Sequence, residues 1–118
     1  MATILVEVVF LSPEDGGRQH SLPVFKTPAV YRPHLVVQDR SVRYARIRNN
    51  VIEEGHWAVS FFDGPSEFSF GEPVRCRLIL DWFPEADYSP LEKGATFTVR
   101  EGARIVGHGV VLERSDVG

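Results

Sequence analysis

Thr96-Phe97-Thr98-Val99-Arg100-Glu101-Gly102-Ala103-Arg104-Ile105-Val106-Gly107-His108-Gly109-Val110-Val111-Leu112-Glu113 is the stretch whose reading decides the fold. Phe97 and Val99 alternate with Thr96, Thr98 and Arg100. That is the period of a strand with one apolar and one polar face. Glu101-Gly102-Ala103 interrupts the pattern, and a second apolar run follows from Arg104 to Glu113. The separation is that of a hairpin, so the two strands are expected to pair directly and antiparallel. Gly107 and Gly109 alternate along the second strand. Glycine there predicts a close approach of another backbone or a barrel bend, with His108 on the other face.

The same period recurs outward from this hairpin. Val74, Cys76, Leu78 and Leu80 alternate with Arg75 and Arg77, and Trp57, Val59 and Phe61 alternate with Ala58 and Ser60. Leu35, Val36 and Val37 begin another strand behind Tyr31-Arg32-Pro33. Thr3 to Leu11 carries Val, Ile and Leu on both faces, which suits a strand covered on both sides. Val42 to Val51 is arginine-rich and reads either as a strand or as a short irregular stretch. Nowhere do apolar residues keep a helical period for three turns. Turn signals such as Ser12-Pro13-Glu14-Asp15-Gly16-Gly17 and Asp63-Gly64-Pro65-Ser66 divide the segments. The expectation is an all-β chain, a single small closed antiparallel β-barrel of about six strands. Closure removes the exposed edges of so small a sheet.

A chain of 118 residues is one domain's length, and a core of that size needs neither disulfide nor metal. Cys76 is the one cysteine, so it forms no internal disulfide. Glu7 interrupts the apolar N-terminal run and no basic region precedes it, unlike a secretory signal. No stretch approaches the roughly 20 apolar residues of a membrane span, and the expected location is the cytoplasm. The formal charge of −3 argues against a generic nucleic-acid binder, which carries a basic excess.

Two segments carry a family resemblance. Leu11-Ser12-Pro13-Glu14-Asp15-Gly16-Gly17-Arg18 precedes Tyr31-Arg32-Pro33, and Arg100 to Val111 reads REGARIVGHGVV. Both resemble the third, C-terminal domain of elongation factor Tu. There an apolar strand, an LS-x-E/D-E/D-GGR loop, YRP and REGGRTVGAGVV follow one another in the same order. The likeness runs from Ile4 to Leu112. Ala103 replaces the family's second glycine, and His108 an alanine. The middle of the chain, from Tyr31-Arg32-Pro33 to Val74, and the loop from Pro84 to Pro90 differ from the family.

The resemblance implies an antiparallel barrel without the factor's GTPase domain. In the family this barrel contacts the T-stem of aminoacyl-tRNA and part of the exchange-factor surface. Of the family's tRNA-contact set, Arg18, Glu101 and Gly102 are matched in identity. Gln19 stands where the family has histidine and His34 where it has glutamine.

Each candidate has a functional and a plain reading. Gly16-Gly17-Arg18 could present an arginine to phosphate, or Arg18 could pair with Glu14 or Asp15. Glu101 and Gly102 could reach a minor groove, or simply shape a turn. Arg40, Arg43, Arg46 and Arg48 surround Tyr44, a pattern that suits single-stranded nucleic acid or a salt-bridged strand near Asp39, Glu53 and Glu54. Trp57, Phe61, Phe62, Phe68 and Phe70 are candidate protein-interface aromatics, or part of a cap on the barrel core.

His20, His34, His56 and His108 lack metal-ligand spacing. Cys76 sits mid-strand on the apolar parity, as an inert thiol does. No catalytic constellation, metal site or cofactor motif is present, so the expectation is a protein that is not an enzyme. No glycine pattern precedes Lys26 or Lys93 as a P-loop requires, so no guanine nucleotide is expected to bind. The expected partner is a protein. Direct binding of tRNA or another RNA, and mimicry of the elongation factor as a decoy, stay open beside it.

Overall fold

A computed structural model describes residues 1–18, 21–43, 47–48, 51–52 and 56–116, with 47–48 and 51–52 as backbone only. The strands are β1 (Thr3–Phe10), β2 (His34–Val37), β3 (Ile47–Arg48), β4 (Val51–Ile52), β5 (Trp57–Asp63), β6 (Val74–Leu80), β7 (Thr96–Glu101) and β8 (Arg104–Ser115). Six of them close into a barrel in the order β1-β6-β5-β2-β7-β8, with every neighbour antiparallel and β8 returning to β1. The short β3 and β4 form a separate two-stranded ribbon. The closed antiparallel barrel read from the sequence is therefore the fold.

Period-2 alternation builds the inside. Ile4, Val6, Val8 and Phe10 of β1 are buried, as are Val74, Cys76, Leu78 and Leu80 of β6 and Phe97 and Val99 of β7. The outer residues of β1, Leu5 and Val9 among them, are only half-buried, so that strand is covered fully on one side. Register shifts between Leu5 and Val6, Phe61 and Asp63, and Val99 and Arg100 mark bulges. Bulges add the local twist and bend that a small barrel needs to close.

Gly107 and Gly109 lie inside, opposite Val99 and Phe97 across β7 and β8. A Cβ at Gly109 would sit 2.4 Å from the Glu7 carbonyl oxygen and 2.8 Å from the Phe97 ring. One at Gly107 would sit 2.7 Å from the Val9 carbonyl oxygen. The close approach expected at these glycines is real, and it makes room for large rings inside the barrel.

Opposite ends close differently. At one end Phe10 lies about 6 Å, ring to ring, from each of Phe25, Tyr31, Phe61 and Phe68. At the other, the loop between β6 and β7 folds inward as a plug, with Tyr88 and Leu91 buried. The Tyr88 hydroxyl donates to the Ala58 carbonyl at 2.7 Å and accepts from the Trp82 amide at 3.1 Å. Arg114 donates to the Tyr88 carbonyl at 2.6 Å, and the Trp57 indole to the Asp87 carbonyl at 2.9 Å. The segment from Pro84 to Pro90, which departs from the family pattern, is thus part of the core's closure.

The polar parity of β7 does not face solvent as its alternation suggests. Thr98 and Arg100 are both fully buried. Gln38, just past β2, covers them: its Oε1 accepts from Arg100 Nη2 at 2.6 Å and from the Thr98 hydroxyl at 2.5 Å. Arg100 Nε also donates to Thr98 Oγ1 at 3.2 Å. A buried guanidinium is tolerated where its nitrogens find acceptors, as Nε and Nη2 do here. Strand period reports which face a side chain takes, and not what folds over that face.

Cys76 is 1% exposed, on the inner face of β6. Burial, then the nearby Asp63 carboxylate, pushes its thiol from 9.0 up to about 12. Below pH 9 both folded and unfolded chains hold the neutral thiol, and its contribution to stability is constant. Above pH 9 the unfolded chain ionises first, so stability falls as pH rises toward 12. Reaction with a disulfide reagent at pH 8 is expected to be negligible in the native protein and complete after unfolding. Rapid native labelling would show the core to be open at β6.

Candidate functional site

The loop after β1 is shaped by its glycines. Ser12 caps a single 3-10 turn over Pro13–Asp15, and Gly16 ends it at φ +84°. A Cβ on Gly17 would lie 2.0 Å from the Leu11 carbonyl oxygen, so no other residue fits this path. The chain therefore leaves the turn at a fixed angle and sends Arg18 across the end of the barrel. The β7–β8 turn approaches from the other side, with Gly102 at φ +63°. Arg104 reaches from it to the Gly16 and Gly17 carbonyls, 3.5 Å from each.

Between the two turns Arg18, Tyr31 and Glu101 form a closed triangle. Arg18 Nε lies 3.4 Å from Glu101 Oε2, and the Tyr31 hydroxyl donates to the same oxygen at 2.7 Å. The Arg18 guanidinium sits over the Tyr31 ring, 5.2 Å from its centre. Its side chain is 20% exposed and that of Glu101 32%. Burial, then the hydrogen bond to Glu101, holds the Tyr31 phenol protonated far above its ordinary range. Arg18 pairs with neither Glu14 nor Asp15, because Gly16 and Gly17 carry it past them to a residue distant in sequence.

The triangle brings together Arg18, Glu101 and, at the same turn, Gly102. His34 is exposed on β2, opposite Arg100 and Ala58 in the register, with its ring 5.6 Å from that of His56. Gln19 lies outside the described residues, as do Tyr44 and Arg46 of the arginine-rich stretch, the side chain of Arg48, and the nearby Glu53 and Glu54. Arg40 and Arg43 are exposed. Burial, then Arg43 and Arg40, lowers the affinity of His108 for a proton. Among the described residues no cluster of His, Cys, Asp or Glu is placed to hold a metal ion, and no helix is long and apolar enough to cross a membrane.

The candidate interface aromatics do not make one exposed patch. Phe61 is fully buried, and Trp57, Phe68 and Phe70 pack against the core. Their apolar area serves the interior, because a small barrel with open ends must be stoppered by large rings. Phe62 alone takes the other face of β5. It helps to line a half-open cleft of about 530 Å³ outside β5 and β6, with Pro28, Ile79, Arg32, Asp81 and Met1 among its other walls. Sequence reading found only Phe62 of this group. The rest come from the 27–32 loop, β6 and the chain start, which nothing in their local pattern connects.

Compared with protein-family models and with curated proteins, the chain finds no match.

Proposed function

We propose that this chain is a stand-alone relative of the C-terminal barrel of elongation factor Tu. It works without catalysis, by binding a protein partner in a translation-related setting. The observation that carries this reading is the closed triangle of Arg18, Glu101 and Tyr31. The two charged members of the family's tRNA-contact set neutralise one another. To reach phosphate, Arg18 must first give up its carboxylate and its stacking on Tyr31.

Charge supports the same reading. Affinity for a duplex stem is largely phosphate neutralisation by lysine and arginine, and here 13 basic residues face 16 acidic ones. A few contacts of about 1 kcal/mol each do not offset the entropic cost of association. The apolar cleft on the outer face favours a protein, since such recesses on small domains mark interaction surfaces. A decoy that takes the elongation factor's place on its protein partners is a special case of this reading.

A tRNA gel shift at near-physiological salt, run beside a pull-down from cell extract, tests it. The expected result is a recovered protein partner and no tRNA complex below micromolar concentration. Submicromolar tRNA binding that is lost in Arg18→Ala, with no protein recovered, overturns it in favour of an RNA binder.

A further inference from the structure

The cleft outside β5 and β6 has a chemistry of its own. Its floor is Phe62 and Ile79, side chains on the outer face of paired strands, and Pro28 forms part of its wall. Its volume of about 530 Å³ falls in the range of ligand-binding pockets, and it is open along one side. Two charged groups face this apolar surface. Arg32 is exposed and makes no hydrogen bond or ion pair among the described residues. Asp81 has one carboxylate oxygen engaged, accepting from the Ser60 hydroxyl at 2.7 Å. Trp82, which follows Asp81 in sequence, is 63% exposed.

We infer that this cleft docks a peptide segment of the partner protein that carries a large apolar side chain beside a carboxylate. The inference rests on the protein-binding reading above and names the chemistry of the partner. The apolar side chain lies on Phe62 and Ile79, which removes all three from water. The carboxylate takes the planar fork of Arg32, an arrangement that fits carboxylate oxygens in pairs. Asp81 repels a second acidic group, so the cleft selects one carboxylate and not an acidic run. The open side lets the peptide main chain pass. A nucleic-acid strand fits less well, because Arg32 is the cleft's one arginine among the described residues and Asp81 opposes phosphate.

The test is an amide chemical-shift titration of the full chain with a capped Gly-Glu-Leu-Phe-Gly peptide. Saturable shifts are expected at Ala29, Phe62, Ile79 and Asp81. Replacing the peptide's Glu with Gln, or the protein's Arg32→Gln, is expected to weaken binding about tenfold, the weight of one charge-assisted contact. Arg32 has no partner to lose among the described residues, so that variant keeps its fold and its spectrum. The inference is overturned if the cleft amides do not move at millimolar peptide. It is equally overturned if the Gln peptide or the Arg32→Gln protein binds as tightly as the parent pair, or if tRNA and not peptide moves these amides. Capture of the same partner by wild type and Arg32→Gln, without peptide binding, sinks the cleft but leaves the protein-binding reading standing. tRNA capture without protein removes that reading itself.

Discussion

Gly109→Ala is expected to leave little or no folded protein. The added Cβ would sit 2.4 Å from the Glu7 carbonyl oxygen and 2.8 Å from Cζ of Phe97. Neither neighbour has room to yield. The carbonyl belongs to β1, paired with β8 at Glu7 and Val110, and the Phe97 ring is fully buried. Relief requires β1 and β8 to separate, which breaks the seam that closes the barrel. Overpacking a filled core typically costs about 1–3 kcal/mol when side chains alone can adjust. Here backbone must move, and a loss of about 3 kcal/mol or more is expected from a total stability of about 5–15 kcal/mol. Gly102→Ala is the control. That position has open space around it and a positive φ of 63°, so it loses only the left-handed backbone preference, about 1 kcal/mol. Urea denaturation of the two variants measures the contrast. Near-wild-type stability for Gly109→Ala would mean that β1 and β8 are not packed this closely.

Phe10→Ala is the second large effect. Phe10 is fully buried and forms the hub of the aromatic end. Its ring lies 6.0 Å from Phe25 and Tyr31, 6.1 Å from Phe61 and 5.9 Å from Phe68. Removing it takes away the largest side chain at the end of β1 and leaves a void that none of those rings can fill without leaving its own neighbours. Burial of a large aromatic of this kind is typically worth about 3–5 kcal/mol in a truncation to alanine. The effect should also spread to the candidate site. Tyr31 packs on Phe10 and holds Glu101 through its hydroxyl, so the Arg18–Glu101 pair loses its support. An unfolding free energy from urea denaturation lowered by that amount, with increased amide exchange at Arg18 and Glu101, is the expected outcome. Retained free energy and exchange would show that the aromatic end contributes little to either.

Strand identity was legible because strand period is local. Val74 to Leu80 and Thr96 to Glu101 each declare an inner face through residues two apart, and the structure buries that face in both. The hairpin of β7 and β8 and the close backbone approach at Gly107 and Gly109 follow from short-range spacing and from the absence of a side chain. The thiol of Cys76 was legible on the same grounds, as one member of an alternating row. The outer faces were not legible. Thr98 and Arg100 have the pattern of solvent-facing residues, yet Gln38 lies over them. A lone strand carries no mark of the segment that will cover it.

The sequence by itself determined that this chain is a closed antiparallel barrel, through alternation, turn residues and glycines whose effects reach no further than a neighbouring strand. Only the tertiary structure decided what the charged and aromatic residues do. It joined Arg18 to Glu101 across 83 positions of the chain and turned Phe61, Phe68 and Trp57 toward the core. It also gathered Pro28, Arg32, Phe62, Ile79 and Asp81 around one cleft. The physical reason is that a side chain's partner depends on which strand ends meet at each rim of the barrel. Closure brings those ends together, and no local pattern records it.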